Sequence, residues 1–244
     1  MTNAGSAELL LGGIVLVGAS VQWLTGMGFA LIAVPALVLV IGPAQGVVLA
    51  NCAAGAISIA GLATGWRRVR IGAMAPLVIA AACTVPAGSW VAARLPEPVL
   101  LAGVGILVTV AVAIVMGGVR ISALTGTRGA VAAGAVGGFM NSAAGVGGPP
   151  YSLYAVNAGW TVREFVPNAQ FYGIMVNVFS VAANGAPRLS GTAWGAALAG
   201  MVAGALIGRV FASRIPEQWI RRLILALALT GGLTALVKGL QGMG

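Results

Sequence analysis

The stretch Gly137-Gly138-Phe139-Met140-Asn141-Ser142-Ala143-Ala144-Gly145-Val146-Gly147-Gly148-Pro149-Pro150-Tyr151 lies between apolar runs and does not read as one continuous helix. In a helix interior Gly costs about 1 kcal/mol and Pro about 3 kcal/mol relative to Ala. The chain is expected to break here. Pro149 and Pro150 are tolerated in the first turn of a new helix, where their missing donors would be unpaired anyway, so a helix start is expected near Gly148. A helix N-terminus of this kind, with its unpaired N–H groups and positive dipole end, suits an anion without any charged side chain. The candidate binding residues are Asn141, Ser142, Gly145, Val146, Gly147, Gly148, Pro149 and Tyr151. The glycines admit close backbone approach, and Asn141, Ser142 and Tyr151 can add donors.

The rest of the chain says what surrounds this break. Of 244 residues, 59% are apolar and only 7% are charged, and mean hydropathy is +1.03. Soluble domains carry about 25% charged residues, so the solvent read from this composition is lipid. With no His, and only Glu8, Glu97, Glu164 and Glu217 as acids, most metal sites and acid–base sites lack ligands. No cofactor, no metal and no enzymatic activity are expected. The net charge of +9 comes from basic residues that punctuate apolar runs instead of forming a basic face, which argues against a nucleic-acid partner. Cys52 and Cys83 lie inside apolar segments, where a free Cys usually acts as a small buried hydrophobe. The first apolar run has Glu8 and no basic residue before it, so it reads as a retained segment and not as a secretory signal.

A helix crosses the ~30 Å hydrocarbon core in about 20 residues. The expected segments are Ala7–Leu24, Gly28–Ile41, Gln45–Thr64, Gly72–Ala93, Pro98–Val119, Gly129–Ser142, Pro150–Asn157, Glu164–Asn184, Ala193–Ala212 and Trp219–Leu240. Gly28–Ile41 and Pro150–Asn157 are short, and each follows a Gly-rich break. The fold class expected is an all-α polytopic membrane protein with 8–10 membrane segments and broken or re-entrant helices at the Gly-rich motifs.

Ala93-Arg94-Leu95-Pro96-Glu97-Pro98 recurs as Ser213-Arg214-Ile215-Pro216-Glu217-Gln218. Near the same offset Gly26-Met27-Gly28 aligns with Gly145-Val146-Gly147, Arg68 with Arg188, and Asn51 with Gln170. The chain therefore reads as two repeats, residues 1–122 and 123–244. Arg67, Arg68 and Arg70 crowd a loop that in the second copy holds only Arg188, whereas the Arg214/Glu217 turn gains Arg221 and Arg222. Lys and Arg mark the cytoplasmic side, so the copies read as inverted, with Arg120 and Arg128 inside and both termini outside. Inverted repeats with broken helices are a transporter design; two parallel four-segment copies are the alternative.

In the first copy the equivalent break is Gln22-Trp23-Leu24-Thr25-Gly26-Met27-Gly28-Phe29, which adds Thr25, Gly26, Met27 and Gly28 to the candidate site. Two opposed helix N-termini are expected to meet near the membrane midplane, where irregular backbone is tolerated only if buried or lining a cavity. A chain with 38 Gly holds roughly six Gly-x-Gly patterns by chance, and scattered pairs such as Gly117-Gly118 and Gly231-Gly232 read as helix packing. Asn51 and Gln170 follow the two breaks at matching positions; either a helix–helix hydrogen bond or ligand contact accounts for them. Asn168 and Tyr172 share a helix face by i,i+4 spacing. Most Trp residues fall near segment ends, as interfacial anchors should.

The segment Gly134–Tyr154, with Gly147-Gly148-Pro149-Pro150 and then Leu153-Tyr154, resembles a signature of the sulfite exporter TauE/SafE family of membrane permeases. Thr25-Gly26-Met27-Gly28-Phe29 followed by Pro35-Ala36-Leu37 resembles the family's other signature, with Phe29 and Ala30 where family members often continue with Gly. The resemblance covers essentially the whole chain. It implies a multi-pass transporter for small sulfur-containing anions, sulfite or organosulfonates such as sulfoacetate, or for other organic anions. The expected activity is export of a small anion by alternating access across the plasma (inner) membrane, with the lipid bilayer as the other partner. An anion-selective channel, or an uptake permease for another sulfur-containing or carboxylate anion, is the alternative. Oligomeric state is open, a homodimer being the commonest symmetric assembly.

Overall fold

Alternation of apolar runs with Gly, Pro and Arg breaks resolves into ten α-helices in the computed structural model, which describes residues 2–63, 65–117, 124–211 and 217–243. They are α1 (Thr2–Thr25), α2 (Phe29–Ile41), α3 (Pro43–Leu62), α4 (Ile71–Arg94), α5 (Glu97–Gly117), α6 (Gly126–Ala144), α7 (Gly148–Asn157), α8 (Val162–Asn184), α9 (Gly191–Phe211) and α10 (Glu217–Gln241). Each expected segment matches one helix, with ends differing by a few residues, and α2 and α7 are the short ones. No strand occurs among the described residues.

By length and apolarity α1, α3, α4, α5 and α9 qualify as membrane spans. Although α8 is long enough, it carries Asn168, Gln170, Asn177 and Asn184, and these polar residues turn toward other helices instead of lipid. Lipid-facing surface is supplied by side chains such as Leu9, Ile79, Ile106, Val202 and Leu206, all exposed. Trp66 and Trp90 are exposed near helix ends, and the Arg94 guanidinium sits 3.9 Å over the Trp90 ring, an arrangement suited to a headgroup layer. Cys52 is half-buried, but Cys83 is exposed on α4, contrary to the expectation that both are buried.

Small residues set the helix pairing. On α6, Gly134 and Gly138 lie against the Leu77 and Ala81 carbonyls of α4, where no side chain would fit. On α9, Gly200, Gly204 and Gly208 lie in the same way against Gly12, Leu16 and Ser20 of α1. With little hydrophobic drive between helices in lipid, such close backbone approach is what associates them. Gly232 packs on Val108 and Thr109 of α5, and Gly231 on Pro35 of α2, as packing glycines should.

The same contacts give chain directions. α1 runs parallel to α9, and α4 parallel to α6 and to α8, whose starts meet at Arg70 and Asn168 and whose ends meet at Ser89 and Asn184. α3 and α8 are antiparallel, Gly55 lying against Asn177, Ser58 against Gly173 and Gly61 against Gln170. α5 and α10 are also antiparallel, Pro98 near Gly242 and Gly105 near Leu236. One end of the bundle thus carries Arg67, Arg68, Arg70, Arg128, Arg163 and Arg209, and the other carries Arg94, Arg188 and Lys238. Arg120 and Arg214, and the side chains of Glu217, Arg221 and Arg222, lie outside the described residues.

Two large hydrophobic clusters, with a small pair of Val21 and Ile32 beside them, form the interior. The larger joins α1, α2, α3, α5, α9 and α10 around Val15, Phe29, Leu37, Ile57 and Val108. The other joins α4, α6, α7 and α8 around Met74, Leu77, Tyr151 and Tyr172. The helix breaks lie where the clusters face each other.

Candidate functional site

Each break is built on a glycine that a side chain would strain. Gly26 and Gly145 adopt φ of 76° and 71°, the left-handed region open to Gly at no steric cost. Gly145 ends α6, its N–H donating to the Asn141 carbonyl at 2.8 Å while the Val146 N–H reaches Met140 at 3.4 Å, a pairing that satisfies carbonyls left open at a helix C-terminus. In the first break Thr25 does related work, its hydroxyl lying 2.9 Å from both the Val21 and Met27 carbonyls. α2 then starts at Phe29 and α7 at Gly148, equivalent positions.

The breaks touch. The Ser152 hydroxyl of α7 is 3.5 Å from the Met27 sulfur, and a methyl on Gly148 would meet that sulfur at 2.8 Å. Around them is a cavity of about 260 Å³ whose wall includes Thr25, Gly26, Met27, Gly28, Asn141, Gly145, Val146, Gly147, Gly148 and Pro149. Phe29, Ala30 and Leu31, the first turn of α2, also line it. The N–H groups of a first helical turn have no partner within the helix, and the three residues that open α2 are on this wall. In α7 the equivalent residues are Gly148, Pro149 and Pro150, of which only Gly148 carries an N–H.

Four sequence candidates are placed off this wall. Ser142 is fully buried and donates its hydroxyl to the Val85 carbonyl at 2.9 Å. Tyr151 is fully buried, stacked on Tyr172 with ring centroids 5.1 Å apart, and its hydroxyl reaches the Phe165 carbonyl at 3.3 Å. Gln170 packs toward Gly61 on α3, its Oε1 buried without a partner. Asn51 is bound into a helix–helix contact, one of the two accounts its sequence position allows. Its Nδ2 donates to the Asn141 carbonyl at 3.4 Å, and its Oδ1 accepts from Asn141 at 3.3 Å.

Asn141 is the hub of the site. Besides Asn51, its Nδ2 lies 3.1 Å from Asn177 Oδ1 and 2.9 Å from Ser180 Oγ on α8. Its Oδ1 accepts the Gly147 N–H at 3.1 Å. A buried amide satisfied on both ends fixes the break against α3 and α8 together.

The wall also has residues that motif reading passes over, Gln22, Ser58, Ser152 and Phe165, and it takes in Tyr172 and Asn177 of α8. Gln22 Nε2 donates to Ser58 Oγ at 2.8 Å and to the Ala54 carbonyl at 2.9 Å. A sequence signal was present in the spacing, since the offset that maps Gly26 on Gly145 also maps Gln22 on Asn141 and Ser58 on Asn177. Of the pair Asn168 and Tyr172, only Tyr172 lines the cavity; Asn168 accepts the Arg70 N–H at 2.8 Å, beside the Arg70–Glu164 ion pair at 3.0 Å. Among the described residues lining the cavity none is charged.

A bundle of apolar helices, several of them long enough to cross a bilayer, that encloses an uncharged and largely apolar cavity with a few polar groups at two helix breaks is the build of a multi-pass membrane protein. The chain belongs to the sulfite exporter TauE/SafE family, whose model matches residues 10–235. No curated protein and no solved structure matches the chain.

Proposed function

We propose that this protein is a secondary carrier that moves a small anion outward across the plasma membrane by alternating access, with sulfite or an organosulfonate such as sulfoacetate as substrate. The observation that carries this reading is the cavity itself. Backbone of both breaks meets there, the first turn of α2 at Phe29, Ala30 and Leu31 lines it, and its described wall has no charge. Donors aimed from a helix start favour a negative group. The apolar side chains of Phe29, Leu31, Phe165 and Val176 suit a short organic tail. Thr25, Gly26, Met27, Gly28, Gly145, Val146, Gly147, Gly148 and Pro149 form the binding wall in this reading, while Asn51, Asn141, Ser142, Tyr151 and Gln170 hold it in place.

The two halves are read as inverted across the bilayer, supported by the antiparallel runs of the equivalent helices α3 and α8, and α5 and α10. The Arg67 end is then cytoplasmic, since it carries most of the described basic residues. A membrane potential negative inside drives one negative charge outward with ~2.3 kcal/mol per 100 mV, so no proton relay is required. In proteoliposomes, an imposed potential should change sulfite or sulfoacetate efflux with no pH gradient present. Flux that responds only to a pH gradient would overturn this reading, and conductance far above carrier turnover would favour a channel.

A further inference from the structure

A second cavity, of about 460 Å³, lies at the opposite end of the bundle. It is lined by the start of α3 at Gln45, the end of α4 at Ser89, the end of α6 at Ser142 and Ala143, and the end of α8 with the loop to Arg188. The two cavities are neighbours along the same helices. On α8 the first reaches Asn177 and the second begins at Ala183; on α3 the second reaches Val48 and the first begins at Ala54. Five residues of helix lie between them in each case, a rise of roughly 9 Å from one lining residue to the next. Asn51 and Ser180 sit midway in those two intervals, and both are tied to Asn141. On α6 the division falls between adjacent residues, Asn141 facing one cavity and Ser142 the other.

We propose that the second cavity is the outer vestibule of the anion path, and that Asn51, Asn141, Asn177 and Ser180 form the polar septum that closes it off in this conformation. The septum is buried, its four residues being between 0% and 7% exposed, and it is built from neutral hydrogen bonds that can be exchanged for bonds to a passing anion. It is also wired to the first cavity. Asn141 Oδ1 accepts the Gly147 N–H, so an anion that takes this donor leaves Oδ1 without its partner and loosens the side chain whose Nδ2 holds Asn51, Asn177 and Ser180. At the far mouth Arg188 is the one charged residue among those described on the vestibule wall. Its backbone N–H is held at 2.6 Å by Gln45 Oε1, which keeps the loop, with its positive charge, at the rim. A lone cation at the mouth of a low-dielectric cleft concentrates anions there.

The proposal rests on the carrier reading above, but its septum is tested by labelling that needs no substrate. In a background with Cys52→Ala and Cys83→Ala, single variants Ala143→Cys and Ser152→Cys are reconstituted in one orientation and exposed to a membrane-impermeant maleimide from either face. Ala143→Cys should react only from the Arg188 face, and Ser152→Cys only from the Arg67 face. Adding Ser180→Ala removes one septum bond, and should make Ser152→Cys react from the Arg188 face, where it is otherwise unlabelled. Both cysteines reacting from one face, or labelling indifferent to Ser180→Ala, would overturn the septum. If labelling follows expectation while neither sulfite nor sulfoacetate moves, the path stands and the anion assignment falls. Arg188→Gln should raise the half-saturating sulfoacetate concentration several-fold at that face alone in low salt, with maximal rate unchanged. An equal shift at both faces, or none, removes Arg188 from the path.

Discussion

The two breaks share a backbone and differ in what they offer. Both turn on a left-handed glycine, Gly26 or Gly145, and in both the residue four positions earlier reaches across to the antiparallel central pair, Gln22 to Ser58 on α3 and Asn141 to Asn177 on α8. Beyond that they part. α2 opens with Phe29-Ala30-Leu31 and three N–H donors, whereas α7 opens with Gly148-Pro149-Pro150 and one, and the Gly147 N–H before it is already held by Asn141. The first break supplies donors; the second supplies a wall stiffened by proline and a polar hub. The backbone geometry of the two breaks is alike while their chemistry differs, and counting N–H groups reveals this where motif similarity does not.

Disabling the second break should have the largest effect. A side chain on Gly147 would lie 2.8 Å from both the Gly137 carbonyl and Asn141 Cβ, so Gly147→Val displaces the hub. Flux in proteoliposomes should fall roughly a hundredfold or more, with membrane insertion unchanged; normal flux would remove this break from the site. Ala30→Pro makes the first break resemble the second by deleting one donor at a position where α7 already tolerates proline. Because a hydrogen bond to a charged group contributes ~1.5–3 kcal/mol, the half-saturating anion concentration should rise roughly tenfold or more. Pro149→Ala is the reverse exchange, adding a donor to the second break, and should lower that concentration about threefold. No response to either exchange would mean that backbone donors do not set affinity.

The smallest effect separates the two glycines. Gly26→Ala should cost about 1 kcal/mol of stability from its left-handed backbone, read as a lower thermal midpoint in detergent. Gly145→Ala should cost more, since its added methyl meets Val34 at 2.9 Å while that on Gly26 meets Val166 at 3.2 Å. Equal midpoints would show the two sites packed alike.

The ten helices and their short members were legible because lipid imposes a length and an apolarity on each span, and because Gly-Pro clusters cost too much to hide inside one. The start of α7 at Gly148 followed from the proline preference for a first turn. Side-chain roles were less legible. Ser142 and Tyr151 stand beside the motif in sequence, yet helix rotation turns their hydroxyls to backbone carbonyls. Gln22 and Ser58 were passed over because one polar residue in an apolar helix does not declare which neighbour it faces. Asn168 and Tyr172 share a helical face, but one turn of rise carries the first past the cavity to Arg70. Occupancy of the Gly147 N–H by Asn141 depends on three-dimensional approach, which spacing alone does not encode.

A cavity wall without carboxylate, imidazole or ammonium groups among its described residues makes this protein a transparent vessel for titration. If the protein carries an anion as proposed, the pH dependence of flux should follow the protonation of that anion, which comparing two anions of different pKa would check.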